Sequence, residues 1–369
     1  VKGGVDMTIH DHAVAGNAAA IEKLLQEEGV DVNLVSASAN GQYRCTALHE
    51  AARYGHAEVA ELLIKNGANT TAYTDPHDSL VSGMTPLELA AINGHRFGHQ
   101  DVVELLLKHG VDTSDLLLRI AAMGRYAVAD LLIQYGSDIN AVELEGGATA
   151  LHLIALKGRT CAVEFFIENG ANVNASDNFG ASPLHNAASK GHTNVVELLI
   201  DHGANINASD RNDDTPLSVA AQNWSSSVVE LLIERGADIH TSNRNKDTPL
   251  HLAVKFMPSE WCVELLLQHG ADANTVDANE QTPLHTAVIV DDGGHHLTKL
   301  LLQYGADVNG RTVVYDTPLH RAASLGDCDS ITLLVQCGAD IDAQRMHVCC
   351  MEDDITVCAT PLHVAARNP

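Results

Sequence analysis

Residues 182–214 read SPLHNAASKGHTNVVELLIDHGANINASDRNDD, and this stretch decides the fold. A similar sequence begins again at Thr215 and a third time at Thr248, so the period is 33 residues. An internal repeat of this length indicates a row of similar units, each too small to bury a core without its neighbours. The chain is therefore predicted to be a repeat protein, so its length of 369 residues reflects the number of repeats and not the number of domains.

One unit contains two helices and a polar connection. Thr215 is a suitable N-cap, and Pro216 loses no hydrogen bond at the first helical position. The fourth residue of the motif is a histidine in most copies, as at His251, where a capping-box side chain reaches back to the cap. A second, amphipathic helix ends at Gly203, because glycine adopts the left-handed conformation without steric cost. The polar tail 204–214 predicts an exposed hairpin, or finger, before the next unit.

The motifs T-P-L-H-x-A-A, G-H and V-V-E-L-L-I-x-x-G-A recur in register and resemble the ankyrin repeat. The resemblance covers nearly the whole chain. It implies an all-α fold, an ankyrin-repeat α-solenoid whose helix-turn-helix units and β-hairpin fingers form a curved, elongated stack. It also implies a family that works by binding other proteins, with no catalytic residues. No cofactor and no metal are expected.

The chain is predicted to be a single ankyrin-repeat solenoid over residues 1–369, with about ten full repeats and a truncated C-terminal one. It is expected to be part of something longer. The segment 110–115 is too short for a finger, which predicts a missing hairpin and a sub-boundary there; sequence drift with undisturbed stacking is the alternative. A loop insertion occupies residues 345–358. The repeats are predicted to start near residues 7, 46, 85, 115, 149, 182, 215, 248, 282, 317 and 360.

Composition and charge narrow the class of partner. Apolar residues make up 45% of the chain and aromatic residues 4%, which favours thin layers of aliphatic side chains. The net charge of −26 argues against nucleic acid and against an anionic membrane surface, and favours a basic or mixed protein partner. No apolar run is long enough for direct membrane insertion. Eight cysteines without a regular spacing indicate a reducing compartment, so a cytoplasmic protein is expected, with a nuclear one as the alternative.

The predicted binding surface combines finger tips with the exposed end of each first helix, positions that vary while the frame repeats. Cations in repeats six to eight would hold an acidic peptide, and the large apolar side chains nearby are typical of interface hot spots. Two other interpretations stay open: Trp224 and Met257 plug space left by lost turn glycines, and Asp210, Asp213, Asp214 and Asp247 neutralise the cations. The predicted partner-binding residues are Phe179, Lys190, Arg211, Asn212, Gln222, Asn223, Trp224, Arg244, Asn245, Lys255, Phe256, Met257, Ile289 and Val290.

One cluster lies outside the repeat frame. His347, Cys349, Cys350 and Cys358 would supply nitrogen and sulfur ligands for zinc, but adjacent cysteines suit tetrahedral geometry poorly and paired C-x-x-C spacing is missing. A disordered, solvated loop is the favoured interpretation. The phosphate-binding, nucleophile-elbow and zinc-protease motifs are absent from the sequence, so no enzyme is predicted.

The predicted function is a protein–protein interaction scaffold that binds a partner protein or peptide, with acidic and apolar side chains, on its concave face. Two alternatives remain at this point. The chain would be the substrate-recognition arm of a ubiquitin ligase, or the cytosolic sensor or regulatory region of a larger channel, immune receptor or enzyme. The sequence does not determine the oligomeric state.

Overall fold

The computed structural model describes residues 8–27, 29–37, 44–75, 83–93, 99–111, 113, 116–223, 225–256, 259–290, 294–347 and 357–366. Its contacts divide the chain into two compact units. Unit 1 comprises residues 1–154 and 164–171, and unit 2 comprises residues 155–163 and 172–369.

Unit 1 contains a row of helix pairs. First helices pack on the first helices of the next pair, α1 on α3, α3 on α5 and α5 on α7, and second helices stack in the same way from α2 to α8. The helices are α1 (Ile9–Val14), α2 (Ala18–Leu25), α3 (Ala47–Tyr54), α4 (Ala57–Lys65), α5 (Pro86–Ile92), α6 (Gln100–Lys108), α7 (Leu116–Met123) and α8 (Tyr126–Gln134). The helices α9 (Ala150–Leu156) and α10 (Thr160–Glu168) contribute residues to both units.

Unit 2 repeats the same arrangement. Its first helices stack from α11 to α21 and its second helices from α12 to α20. They are α11 (Pro183–Ser189), α12 (Thr193–Asp201), α13 (Pro216–Gln222), α14 (Ser226–Glu234), α15 (Pro249–Phe256), α16 (Glu260–Gln268), α17 (Pro283–Ala287), α18 (Gly294–Gln303), α19 (Pro318–Leu325), α20 (Cys328–Gln336) and α21 (Pro361–Ala365). The predicted all-α solenoid of paired helices is confirmed.

In several regular repeats, a histidine joins the first helix to the next finger. The Nδ1 atom of His285 accepts hydrogen bonds from the backbone N–H of Thr282 at 3.2 Å and from its hydroxyl at 2.9 Å. The Nε2 atom donates to the carbonyl of Asp316 at 3.1 Å. Because a backbone N–H only donates, these contacts select the neutral ring with its hydrogen on Nε2. His49, His185, His251 and His320 bond in the same two directions.

Burial of these histidine rings lowers their pKa, so their protonation is linked to the stability of the fold. Burial lowers the pKa of His285 from 6.5 to about 4, and that of His49 from 6.5 to about 4. It lowers the pKa of His185, His251 and His320 as well. The predicted structural role of the histidines in the first-helix motif is therefore confirmed.

Several finger tips in unit 2 are tight turns, each closed by the residue that opens it. The Oδ1 atom of Asp210 accepts hydrogen bonds from the backbone N–H groups of Asn212 at 2.7 Å and Asp214 at 3.0 Å. Such a turn requires a residue in the left-handed region, which glycine occupies most readily. One tip uses Gly180, with φ of 79°, but the equivalent residues in the following tips carry side chains. They are Asp213, Lys246, Glu280 and Tyr315, with φ between 57° and 63°.

The junction between α6 and α7 departs from this scheme. The connection is residues 109–115, half the length of the connection 202–215 between α12 and α13. In α5, Glu88 stands in the histidine position, where its Oε2 accepts from the backbone N–H of Thr85 at 2.7 Å. Its other oxygen accepts from the guanidinium of Arg119 in α7. A carboxylate–guanidinium contact thus links the two repeats directly, while the predicted sub-boundary at 110–115 stays a prediction.

The described strands form two short antiparallel pairs. They are β1 (Ser36–Ala37) with β2 (Arg44–Cys45), and β3 (Arg345–His347) with β4 (Val357–Ala359). The second pair shows that both ends of the insertion 345–358 are paired backbone, whereas residues 348–356 lie outside the described residues, so the expectation of a disordered loop there stays a prediction. Cys349 and Cys350 lie outside the described residues, so the zinc hypothesis stays untested.

Candidate protein-binding surface

Backbone hydrogen bonds between neighbouring tips hold the predicted tip residues in a row within unit 2. The N–H of Arg211 donates to the carbonyl of Phe179 at 2.8 Å, and the N–H of Arg244 donates to the carbonyl of Asn212 at 2.9 Å. The carbonyl of Asn245 accepts from the next tip at 2.8 Å. Because the main chain makes these contacts, the side chains are left exposed, and Phe179 is 68% exposed.

The ends of the first helices supply the second half of the surface. Lys190 follows α11, and both Lys255 and Phe256 lie in the last turn of α15. All three are exposed, Phe256 by 48%. Asn223 and Ile289 are also exposed, whereas Gln222 and Val290 are half-buried. Trp224 and Met257 lie outside the described residues, so the interpretation that they plug the turns is not tested.

A pocket of about 370 Å³ brings six of the predicted residues together. It lies between the tips at 212–214 and 243–247 and the ends of α13 and α15. Its walls combine amides, charges of both signs and one aromatic ring. The six are Asn212, Gln222, Arg244, Asn245, Lys255 and Phe256; Asp214, Asn243, Asp247 and Leu252 complete the lining.

Two of the four cations have carboxylate partners. The Nε atom of Arg244 lies 3.5 Å from Asp213, and the Nζ atom of Lys255 lies 3.5 Å from Asp247 and 5.6 Å from the centroid of the Phe256 ring. Among the described residues, Lys190 and Arg211 have no carboxylate within ion-pair distance. The neutralisation hypothesis thus holds for Arg244 and Lys255, and the other pair remains available for an outside group.

Two carboxylates in the pocket lining are shielded from solvent, because Asp247 is buried and Asp214 is half-buried. Asp214 accepts a hydrogen bond from the side-chain amide of Asn243 at 3.0 Å. Burial, together with the charges of Asp210, Asp247 and Asp213, raises the pKa of Asp214, and the Asn243 bond opposes that change. The pocket lining therefore combines carboxylates with amides and cations, which offer hydrogen bonds to a peptide backbone and to polar side chains.

Sequence reasoning missed Asn243 and Leu252. Asn243 opens its tip and Leu252 belongs to the helix frame, and neither was among the predicted partner-binding residues. The available signal was the position of Leu252, four residues after the cap Thr248, beside the helix end that carries Lys255.

No group of three or more His, Cys, Asp and Glu side chains has metal-binding geometry within the described ranges. In the same part of the chain, every helix is too short or too polar to cross a bilayer.

The repeat geometry matches a known family. A family model described as "Ankyrin repeats (3 copies)" matches residues 9–116, 117–210, 208–277 and 250–345. Together these matches cover most of the chain, so the chain belongs to the ankyrin repeat family. The predicted resemblance is confirmed, and repeats of this family are non-catalytic modules for protein–protein interaction.

Curated relatives of different kinds share part of the chain. E3 ubiquitin-protein ligase XBAT33 of Arabidopsis thaliana is 33% identical over 174 residues, which are 47% of this chain and 31% of the relative. NF-kappa-B inhibitor zeta of Mus musculus is 28% identical over 156 residues, 42% of this chain and 20% of the relative. Palmitoyltransferase AKR1 of Lachancea kluyveri is 27% identical over 168 residues, 43% of this chain and 21% of the relative. The chain thus spans less than a third of the length of these relatives.

Proposed function

We propose that the chain is a protein–protein interaction scaffold whose main docking surface is formed by the tips and first-helix ends between Phe179 and Val290. The pocket at residues 212–256 carries this proposal, because it is the place where side chains that vary between repeats converge on a repeated frame. The frame is held by main-chain bonds between tips. Substitutions on this surface therefore change recognition more than folding.

The partner is proposed to present acidic and apolar side chains to the concave face. Lys190 and Arg211 provide cations without an internal carboxylate partner in the described structure, and Phe179 and Phe256 provide exposed aromatic rings. Aromatic rings beside arginine are common anchors in interfaces. A single site of ordinary size would bury about 800 Å² on each side.

The test compares substitutions on this surface with matched substitutions on the second helices. Interacting proteins are captured from a cell extract with the wild-type chain, and their affinities are measured for Arg211→Glu and Phe256→Ser. Lys299→Glu is the charge control, and Trp261→Ser is the aromatic control, because both side chains are exposed on second helices.

Arg211→Glu and Phe256→Ser are each expected to lower the affinity for the captured partner about tenfold, while both controls retain wild-type affinity. Equal affinities for Phe256→Ser and Trp261→Ser would refute the aromatic part of the surface. Unchanged affinity for Arg211→Glu would refute the acidic character of the partner.

A second candidate function is substrate recognition for a ubiquitin ligase, in a longer protein of which this chain is a part. It is favoured by the similarity to the Arabidopsis relative named as an E3 ubiquitin-protein ligase. Under this proposal the bound partner is also a substrate, so removal of the whole protein from cells lengthens the lifetime of that partner. An unchanged lifetime of the partner would contradict substrate recognition for a ubiquitin ligase, and only the scaffold function would remain. Under both proposals the repeats are non-catalytic and work in the cytoplasm or nucleus.

A further inference from the structure

Unit 1 contains a second pocket, of about 270 Å³, at a position equivalent to that of the pocket at residues 212–256. Ala122 is the seventh residue of α7, as Gln222 is the seventh residue of α13, and each lines its pocket. Leu153 lies four residues after Thr149, as Leu252 lies four residues after Thr248. The two pockets therefore occupy the same place in the repeat frame.

The lining of this second pocket is largely apolar. Leu118, Ala122 and Leu153 form its inner wall, and Leu144 stands at its rim with 89% of its surface exposed. In the unit 2 pocket, the preceding tip at 212–214 supplies a polar wall. Among the described residues of the shorter connection 109–115, none lines the pocket in unit 1, so its described lining comes from α7, the tip at 143–145 and α9.

Charges around the pocket indicate what it would accept. The guanidinium of Arg119 at its edge is bound to Glu88, so this cation is already paired. Glu143 and Glu145 lie on either side of Leu144 on the exposed tip. The rim is therefore apolar at its centre and acidic at its edges, on a chain of net charge −26. Such a surface attracts basic side chains and repels acidic ones.

We propose that this pocket is a separate docking site for a partner protein segment that carries a leucine-like side chain flanked by lysine or arginine. The aliphatic side chain packs against Leu118, Leu144 and Leu153, and the flanking cations face Glu143 and its neighbours on the tip. This site differs in partner chemistry from the surface around Phe179 and Phe256, and the two proposals stand or fall separately.

The experiment measures the binding of a fluorescein-labelled peptide with one leucine between pairs of lysines to the full chain by fluorescence anisotropy. Matched peptides replace the leucine by serine, or the lysines by glutamates. Leu144→Ser and Glu143→Gln test the pocket. Leu34→Ser is the control, because Leu34 is another exposed leucine of unit 1 and does not line the pocket.

The leucine–lysine peptide is expected to bind the wild-type chain and Leu34→Ser equally. It should bind Leu144→Ser about tenfold more weakly, because part of the apolar contact is lost. Glu143→Gln should bind about threefold more weakly, with a smaller dependence on salt. The glutamate and serine peptides should bind at least about tenfold more weakly than the leucine–lysine peptide.

Absence of binding at about 1 mM peptide would overturn the proposal, as would equal binding by Leu144→Ser and the wild-type chain. Self-association of the chain that Leu144→Ser abolishes would also overturn it, since the occupant would then be a second copy. Arg211→Glu, a substitution on the other surface, should leave peptide binding unchanged. Stronger peptide binding by Arg211→Glu, whose new carboxylate would attract the lysines, would assign the peptide to the surface in unit 2 and reject the pocket in unit 1.

Discussion

The pockets at residues 118–153 and 212–256 share a position in the repeat and differ in lining. Ala122 and Leu153 stand where Gln222 and Leu252 stand, yet one pocket is apolar with an acidic rim and the other is amide-rich with paired charges. The difference arises from side chains at helix ends and tips, since the frame is retained in both. A repeat protein can therefore vary a binding site without altering the contacts that stack its helices.

The junctions between repeats also keep a constant frame while the side chains that complete it differ. In several regular repeats a buried neutral histidine connects the N-cap to the next finger, as His285 does between Thr282 and Asp316. Where the finger is too short, Glu88 keeps the cap and Arg119 replaces the finger as its partner. Stacking of first helices continues through both kinds of junction. The cap is thus the constant element, and its second partner is exchangeable.

The largest expected difference between the two junctions is in their response to acid. Because the pKa of His49 and His285 is about 4 in the folded chain and 6.5 otherwise, the unfolded chain binds protons first as pH falls. Their contribution is fully present above pH 6.5 and is lost between pH 6.5 and 4, on the order of 3 kcal/mol for each ring. Asp214, whose pKa is raised, changes in the opposite direction.

Urea unfolding followed by circular dichroism at pH 7.5 and 4.5 measures this loss. Hydrogen exchange in acid should increase first at the fingers that accept from histidine, and less at the helices α5 and α7 joined through Glu88. Equal urea midpoints at the two pH values would contradict the assignment of neutral, buried rings.

The second prediction removes one histidine connection. His285→Leu leaves the N–H of Thr282 and the carbonyl of Asp316 without their buried partner, which should lower the free energy of unfolding by about 3 kcal/mol. His269→Leu, at an exposed ring bonded to its own helix, should have little effect. A small change in both variants would mean that the finger contact is dispensable in regular repeats too.

The third prediction removes the alternative partner. Arg119→Met leaves the Glu88 side chain, which is 15% exposed, without its cation and should cost about 2 kcal/mol. The double variant Glu88→Met with Arg119→Met should recover much of this loss, which a double-mutant cycle would measure. Arg235→Met is the control, since its exposed pairs with Glu197 and Asp201 should contribute little. Additive losses in the cycle would show that the two side chains act independently.

The smallest effect concerns the tips. Lys246→Gly should raise the free energy of unfolding by about 0.5 kcal/mol, because glycine relieves the cost of φ at 58°. Gly180→Ala should act in the opposite direction, since the new methyl carbon would lie 2.9 Å from the backbone nitrogen of Arg211. Thermal unfolding of both variants checks the signs, and stabilisation by Gly180→Ala would contradict the described tip geometry.

Much of the fold could be predicted from local features of the sequence. The Thr-Pro-Leu-His motif defines a cap, a first turn and a ring that reaches back three residues, so the helix starts at Thr282 and Thr317 could be predicted without coordinates. The candidate surface was predicted in part, because positions that vary within a repeated frame are visible in the chain. Asn243 and Leu252 were missed, since their place in a pocket depends on side chains from a neighbouring repeat.

The amino-acid sequence alone determined the family, the helix pairs and the capping position of the histidines, because each of these depends on residues within one period of about 33. The tertiary structure decided which side chains of different repeats meet. Glu88 and Arg119 are 31 residues apart and become partners through stacking of α5 and α7. Likewise, Leu144 and Leu153 meet Leu118 of the preceding repeat in one apolar pocket. Stacking brings residues of neighbouring repeats into contact, and this information is absent from any single copy of the motif.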